Sequence, residues 1–458
     1  MKRCMIIILC LLILCLAACS SPKISESESG ESVPSPDNSL DASSGEGSDE
    51  AADASHDESK AEISDPKYNG VAQLYITVRG QVEKDAYREC TVRLVDLSGK
   101  FAEITDDKAV IKVRGNSTST GAKKPYNIKF SSSQRPLGLG KGKKFCLLAN
   151  LYDKSLIRNR LSYDFASELG GCDYTPNTEF VDVYLNNRFL GNYLMTQSVG
   201  EGSEKVDINI AENDFLLEFE PYEGYSNPVC ISTPQTGILF GFNDPEQPTE
   251  AQLSWLYDFF ENAENALFSK DIKQIEKYFD IDSFVDFYVV NELFKDVDFA
   301  TSSTRFYVKN GKLYAGPLWD MDLSSGNVSN AQDFYDEYWN KGGSGDSTES
   351  FFCRKIWYKY LFECEAFERL VSKRYAELQP QIINLTTDNE LGKNRIDLLI
   401  EKYGRSFTAN YKKARWRIDI PYGPYETRTP GKTFEENVEQ LREWLIKRNS
   451  WILSQLSQ

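Results

Sequence analysis

The sequence contains one histidine, His56, among its 458 residues. That histidine lies in a stretch of Ser, Asp, Glu and Gly with almost no large apolar side chains. The scarcity of imidazole excludes a Ser-His-Asp or Cys-His nucleophilic centre, because both use a histidine as general base. It also excludes a zinc site with the usual histidine ligands. Any enzymatic chemistry must therefore use carboxylates, lysines, arginines, hydroxyls or a hard metal ion.

Cysteine motifs are also scarce. Six of the ten cysteines lie beyond residue 65, and no two of these six form a Cys-x-x-Cys pair. These spacings indicate neither a dense disulfide framework nor a zinc site. Free buried thiols and disulfides are both compatible with them. The six cysteines are Cys90, Cys146, Cys172, Cys230, Cys353 and Cys364.

The first 19 residues have the layout of a secretory signal. Lys2 and Arg3 precede an almost wholly apolar run, which ends at Ala17-Ala18-Cys19. A run of about 12 apolar residues is too short to span a bilayer core comfortably. The end of the run resembles a bacterial lipobox, in which the cysteine carries a diacyl lipid that anchors stably. We therefore predict a signal peptide over 1–18 and a lipid on Cys19, with an ordinary cleaved signal as the alternative.

An acidic segment follows the predicted anchor. Residues 20–65 contain 13 Asp or Glu residues against two Lys residues. This composition predicts a disordered spacer, because it cannot bury enough apolar surface to offset the chain entropy. The predicted organisation is a lipidated cysteine and linker over 19–65, followed by a folded region over 66–458. The linker carries most of the net charge of −17, and nothing indicates a nucleic-acid partner.

The hydrophobic period changes within the folded region. Alternating segments between about 66 and 245 predict strands, including a hairpin that turns at Asn186-Asn187. Helical spacing dominates from about 246 to 458, apart from a hairpin that turns at Asn310-Gly311. This order predicts an α+β fold with a β-rich lobe, a helical lobe containing an embedded β-hairpin, and a cleft between the lobes.

Two carboxylates follow that second hairpin. Asp320 and Asp322 are two residues apart, so an extended backbone would place both on one face. A hard divalent ion is the natural partner for such a pair, although an ordinary polar turn is the simpler interpretation of the pair alone. Asp298 adds a third carboxylate 22 residues earlier, at the end of an apolar helix. Protein kinases arrange their base, a hairpin and their magnesium ligand in this order.

A basic segment in the β-rich part is a candidate phosphate-binding surface. Arg114-Gly-Asn-Ser-Thr118 follows a predicted strand, and its glycine allows a phosphate to approach the backbone closely. Lys123, Lys124 and Lys129 follow on the returning strand, and Arg158 lies on the next predicted helix. A solvated basic hairpin and a helix surface charge are the alternative interpretations.

Together these segments resemble the spore-coat-protein-H (CotH) family of secreted atypical kinases. The resemblance covers roughly residues 110–330 and implies a bilobal fold, similar to protein kinases, that uses ATP and magnesium to phosphorylate secreted proteins. The matching segments are VRGNST at 113–118, KKPYNIKF at 123–130, LLANLYDKSLIRNRLSYDFASELG at 147–170, VDVYLNNRFLGNYLMTQSV at 181–199, FLLEFE at 215–220, FVDFYVVNELFKDVD at 284–298 and GPLWDMDLSSGN at 316–327.

The resemblance implies a role for each matching residue. Asp298 would orient the acceptor hydroxyl, Asp320 would bind magnesium, and Asp322 would be a second ligand or a neighbour of that ligand. Many family members carry Asn residues after the first Asp, where this chain has Thr301-Ser-Ser-Thr304, so a second magnesium ligand of the Asn type is not expected. The implied nucleotide-binding residues are Arg114, Lys124, Lys129, Arg158 and Glu218.

The sequence therefore predicts a lipid-anchored kinase on the extracytoplasmic face of the bacterial membrane. It would transfer the γ-phosphate of ATP, with Mg²⁺, to hydroxyls of secreted or envelope proteins. One alternative is a catalytically inactive surface-binding or scaffold protein of the cell or spore envelope. Another is a carboxylate-driven glycosidase, which needs two acids about 5–9.5 Å apart.

Overall fold

Strands precede most of the helices in the computed structural model, which describes residues 71–328, 345–420 and 430–456. The predicted signal peptide, Cys19 and the linker lie outside the described residues. Within the described ranges, no helix is long and apolar enough to cross a membrane. All described residues belong to one compact unit, and the six cysteines named above are free thiols.

The first seven strands close into a barrel with the order β1-β2-β3-β4-β5-β7-β6. Strand β1 pairs with β6 in parallel and thereby closes the ring, while the other neighbours are antiparallel. Alternate residues fill the interior, as Leu74, Ile76 and Ile128 do. The strands are β1 Ala72–Val78, β2 Arg88–Val95, β3 Ile104–Val113, β4 Tyr126–Gln134, β5 Gly142–Leu148, β6 Thr178–Leu185 and β7 Arg188–Gln197.

A five-stranded antiparallel sheet follows, with the order β12-β11-β8-β10-β9. Strands β8 and β11 pair directly, so this sheet draws strands from both sides of the predicted lobe boundary near residue 245. The predicted hairpin is confirmed, because Asn310 and Gly311 have φ values of 51° and 70°, as a tight turn of this kind requires. The strands are β8 Phe215–Phe219, β9 Cys230–Ser232, β10 Leu239–Asp244, β11 Arg305–Lys309 and β12 Lys312–Ala315.

The helices confirm the predicted helical C-terminal part. The carboxylate of Asp280 caps the first turn of α4 by accepting the backbone N–H of Ser283 at 3.0 Å. The predicted helix that carries Arg158 begins at this residue, because Asp153 accepts the backbone N–H groups of Ser155 and Arg158 and holds a turn before it. The helices are α1 Arg158–Ser167, α2 Glu250–Phe268, α3 Ile272–Ile275, α4 Ile281–Phe294, α5 Tyr358–Leu361, α6 Glu365–Glu377, α7 Gln379–Asn384, α8 Arg395–Lys412 and α9 Phe434–Leu456.

A buried polar joint connects the barrel to α8. Asn192 on β7 donates from Nδ2 to the hydroxyl of Ser406 at 2.8 Å. Lys123 is buried beside this joint, where its Nζ donates to the carbonyls of Ala149 and Asn192. Burial disfavours the ammonium more than the nearby Asp182 favours it, so the pKa of Lys123 falls to about 7.

Lys123 makes the free energy of unfolding depend on pH above neutrality. Its folded pKa of about 7 lies below the ordinary value of 10.5, so between these values the unfolded chain binds more protons. Stability therefore rises with pH in this window, by about 1.4 kcal/mol per pH unit for one such lysine. Between pH 7 and 8.5, we expect the free energy of unfolding of Lys123→Met to rise by about 2 kcal/mol less than that of the wild type.

Urea unfolding at a series of pH values measures this difference. Lys129→Met is the matched control, because the Lys129 side chain is exposed on the neighbouring strand. The control should keep the wild-type slope. A Lys123→Met slope equal to that of the wild type would contradict the assignment.

Candidate functional site

The predicted acidic and basic segments meet across one cleft of about 800 Å³. One wall is the turn from Arg114 to Thr118 between β3 and β4, and the other contains Asp298, Asp320 and Asp322. Gly115 in the turn has φ +85°, and a Cβ there would lie 2.2 Å from the hydroxyl oxygen of Thr118. A side chain is therefore disfavoured at this position, and Gly115 itself lines the cleft.

Carboxylates are concentrated on the second wall. Burial raises the pKa of Asp298 to about 7, and the Asp320 carboxylate adds to the rise. Burial, followed by repulsion from Asp320 and Asp298, raises the pKa of Asp322 well above its usual range. Asp296, which the sequence analysis did not select, is buried behind them, and its pKa is also raised by burial and by the same neighbours. Repulsion of this kind is relieved when a cation binds.

The carboxylates of the second wall suit a magnesium ion that also binds a phosphate. They do not suit a metal ion held by protein side chains alone. Across the described ranges, no group of three or more His, Cys, Asp or Glu side chains is placed to hold a metal ion by itself. Magnesium in phosphate-transferring sites usually takes one or two carboxylates and completes its shell with substrate phosphates and water. Asp320 and Asp322 are such a pair on the cleft wall.

The Asp320–Asp322 segment is not extended, which corrects the geometry assumed from the sequence. Asp320 is left-handed, with φ 64° and ψ 56°, and the next three residues form a 3₁₀ turn. A left-handed non-glycine residue is unfavourable and needs support from its surroundings. Helix α1 supplies that support: the hydroxyl of Tyr163 accepts the backbone N–H of Asp320 at 3.0 Å, and Asn159 Oδ1 accepts that of Met321 at 2.7 Å.

Arg158 lies behind this turn rather than in the cleft. Its guanidinium is buried, pairs with Asp153 at 2.5 Å, and donates to the carbonyls of Ser324 at 3.1 Å and Ser325 at 3.3 Å. All these contacts are internal to the protein. The structure therefore gives Arg158 the role of a tie between α1 and the acidic turn.

The two predicted lysines also lie away from the cleft wall. Lys124 donates from Nζ to the carbonyl of Ser119 at 2.7 Å. Lys129 is exposed on β4, two residues beyond Asn127, which is the residue of that strand that lines the cleft. Among the predicted nucleotide-binding residues, Arg114 and Glu218 line the cleft, whereas Lys124, Lys129 and Arg158 do not.

Arg305 and Trp319, which the sequence analysis did not select, also line the cleft. Arg305 at the start of β11 pairs with Glu218 on β8 at 2.9 Å. Its guanidinium carbon lies 5.7 Å from the ring centre of Trp319, and that of Arg114 lies 5.4 Å from the same ring centre. Trp319 immediately precedes Asp320, so its position in the Trp-Asp-x-Asp segment was a usable signal. Arg305 had no local signal, because its placement depends on the pairing of β8 with β11.

The fold and the cleft define a protein of mixed α and β structure in which a carboxylate cluster faces an arginine-bearing turn. The family model described as "CotH kinase protein" matches residues 111–452, a range that contains both walls of the cleft. The chain belongs to the CotH family.

A curated relative supports the same family. The chain is similar to the inner spore coat protein H of Bacillus subtilis (strain 168), with 38% identity over 91 residues. The aligned part is 20% of this chain and 24% of that protein. The chain therefore matches about a quarter of the relative's length.

Proposed function

We propose that this protein is an extracytoplasmic protein kinase that transfers the γ-phosphoryl group of ATP to hydroxyls of secreted or envelope proteins. The observation that carries the proposal is the opposition of Asp298, Asp320 and Asp322 to the Arg114 turn across a single cleft. The barrel and the helical part would correspond to the two lobes of a kinase-like fold. Family membership supports this interpretation.

Each wall has a distinct task in this proposal. The backbone around Gly115 and the guanidinium of Arg114 bind the phosphates, as glycine turns and arginines do elsewhere. Asp320 and Asp322 hold magnesium, which supplies charge neutralisation at the transferred group when bound. Asp298 accepts the proton of the acceptor hydroxyl, a task that suits a carboxylate whose pKa is about 7. Catalysis is then mainly positioning and charge stabilisation.

We also propose that the protein is held outside the cytoplasm by a lipid on Cys19. The lipobox-like sequence supports the anchor, and the name of the curated relative supports a location in a spore coat. Labelling of cells with a palmitate analogue tests the anchor. Label on the wild-type protein and none on Cys19→Ala is the expected result.

ATP with Mg²⁺ is expected to stabilise the purified protein against heat. A ligand present at 100 times its dissociation constant adds about 2.7 kcal/mol to the free energy of unfolding, which raises the melting temperature by a few degrees. Differential scanning fluorimetry with ATP, Mg²⁺, both or neither measures the effect. The shift should need both, because the two carboxylates alone do not complete a metal shell.

An inactive envelope scaffold is the second candidate. It is favoured by the positions of Lys124, Lys129 and Arg158, because none of these three implied nucleotide-binding residues lines the cleft. A scaffold would show no shift with ATP and Mg²⁺ at any concentration. A glycosidase would instead be stabilised by an oligosaccharide without metal.

Tyr163→Phe is expected to weaken binding of ATP with Mg²⁺ about 10-fold, as changes behind metal ligands commonly do. The ring remains and keeps its packing against Trp319, but the hydroxyl that accepts the Asp320 N–H is lost. The left-handed turn then loses one of its two side-chain supports. Isothermal titration measures the change. Tyr257→Phe, on an exposed ring of α2, is the control and should bind like the wild type.

A further inference from the structure

The loop after Asp298 folds back onto this residue. The backbone N–H groups of Thr301 and Ser302 both donate to the Asp298 carbonyl, each at 2.9 Å. Ala300 and Ser303 are both left-handed with φ 56°, which reverses the chain twice within four residues. Ser302 lines the same cleft as Asp298, and its side chain is close enough to the Asp298 carboxylate to lower the pKa of that group.

The side chain of Thr304 stabilises this loop. Its hydroxyl accepts the backbone N–H of Ala300 at 2.9 Å and donates to the carbonyl of Ser302 at 3.1 Å. Arg305 adds a further contact by donating from Nη1 to the carbonyl of Ser303 at 3.2 Å. The backbone on both sides of Ser302 is therefore held by side-chain contacts.

A hydroxyl beside the base carboxylate in the same cleft has the position of a phosphoryl acceptor. In kinase chemistry, the catalytic-loop Asp accepts the proton of the hydroxyl that attacks the γ-phosphorus. Ser302 lines the cleft that Asp298 and the Arg114 turn also line. It thus occupies the place that an external acceptor would take, and it needs no separate binding step.

We propose that Ser302 is a self-phosphorylation site, modified within the same molecule. This inference depends on the proposed kinase function. In the transfer, the Ser302 oxygen forms a bond to the γ-phosphorus of ATP, and the bond from that phosphorus to the β–γ bridging oxygen breaks. The electron pair of the broken bond stays on ADP. The hydroxyl proton passes to Asp298 and then to solvent.

The phosphoserine would carry a charge of about −2. The guanidinium of Arg305 is the cation nearest along the loop to balance it, since it already contacts the neighbouring Ser303 carbonyl. The Asp298 and Asp320 carboxylates on the same wall would repel it. Phosphorylation of Ser302 is therefore expected to change how strongly the cleft binds a further phosphate group.

Phosphosite mapping tests the inference. The full-length protein is incubated with ATP and Mg²⁺ in the presence of casein as a general acceptor, and then digested with trypsin. We expect phosphate on Ser302 in the fragment 296–305, at a fractional rate that is unchanged when the protein is diluted tenfold. Asp320→Asn should carry none.

Separate outcomes distinguish the two proposals. Phosphate on casein without phosphate on Ser302 would overturn the inference and leave the kinase function standing. A rate that falls in proportion to dilution would overturn modification within one molecule. Absence of phosphate from both casein and the protein would overturn the kinase function and, with it, this inference.

Neighbouring hydroxyls provide the matched variants. Ser303→Ala should retain the phosphate on Ser302, and Ser302→Thr should carry phosphothreonine at the same position. Ser302→Ala should lose the modification from fragment 296–305. Phosphate on Thr301 or Ser303 of the wild-type protein, with Ser302 unmodified, would overturn the assignment. Thermal melts of each variant show whether the fold is retained.

Discussion

Asp320→Asn is expected to abolish phosphoryl transfer and to remove the stabilisation by ATP with Mg²⁺. The substitution keeps the size of the side chain and removes the negative charge that Asp320 contributes next to Asp298 and Asp322. Removal of one preorganised electrostatic group at a transferring centre costs about 100- to 1,000-fold in rate. A loss at or beyond this range is expected here, because the same residue would hold the metal.

Transfer from γ-labelled ATP to casein and the melting shift with ATP and Mg²⁺ measure the effect. Asp258→Asn, on an exposed position of α2, is the matched control and should behave like the wild type. If Asp320→Asn retained the wild-type transfer rate, the metal role of this carboxylate would be excluded. Loss of transfer with an unchanged melting shift would place Asp320 in the transfer step rather than in nucleotide binding.

Arg448→Met is expected to lower the free energy of unfolding by about 3–5 kcal/mol, the usual cost of removing one partner from a buried ion pair. Arg448 on α9 is 0% exposed and pairs with Glu292 on α4, which is 2% exposed, at 2.5 Å. Its guanidinium also donates to the carbonyls of Thr348 at 2.9 Å and Ser350 at 2.8 Å. Methionine fills similar volume and satisfies none of these groups.

Urea unfolding monitored by tryptophan fluorescence measures this loss. Arg369→Met is the control, because Arg369 is 70% exposed and pairs with Glu365 on the surface of α6. Surface pairs contribute about 0–1 kcal/mol, so the control should stay near the wild type. Equal stabilities of the two variants would show that the Glu292 carboxylate is satisfied by the backbone N–H groups of Phe352 and Cys353 alone.

Elements with local signals were predicted from the sequence. The hairpin at Asn310-Gly311 and the one at Asn186-Asn187 have the left-handed turn residues that the sequence indicated. Helix α4 begins after Asp280, whose carboxylate caps its first turn. A turn or a cap depends on residues within a few positions, so the chain near it contains the necessary information.

No local sequence signal predicted that the first seven strands close into a barrel. Strand β1 pairs in parallel with β6, more than 100 residues later in the chain. The same applies to β8 and β11, whose pairing places strands from both predicted lobes in one sheet. A strand's partner depends on the whole set of competing edges and faces, which local periodicity does not encode.

By itself, the sequence determined the kind of chemistry available and most of the acidic wall. The single histidine excluded whole classes of centre, and Asp298, Asp320 and Asp322 lie together as predicted. Only the tertiary structure decided which cations face them: Arg114 and Arg305 do, whereas Arg158 ties α1 to the acidic turn. Residue type is a local property, but the direction of a side chain depends on strand pairing, turn geometry and burial, which are settled only when distant segments pack together.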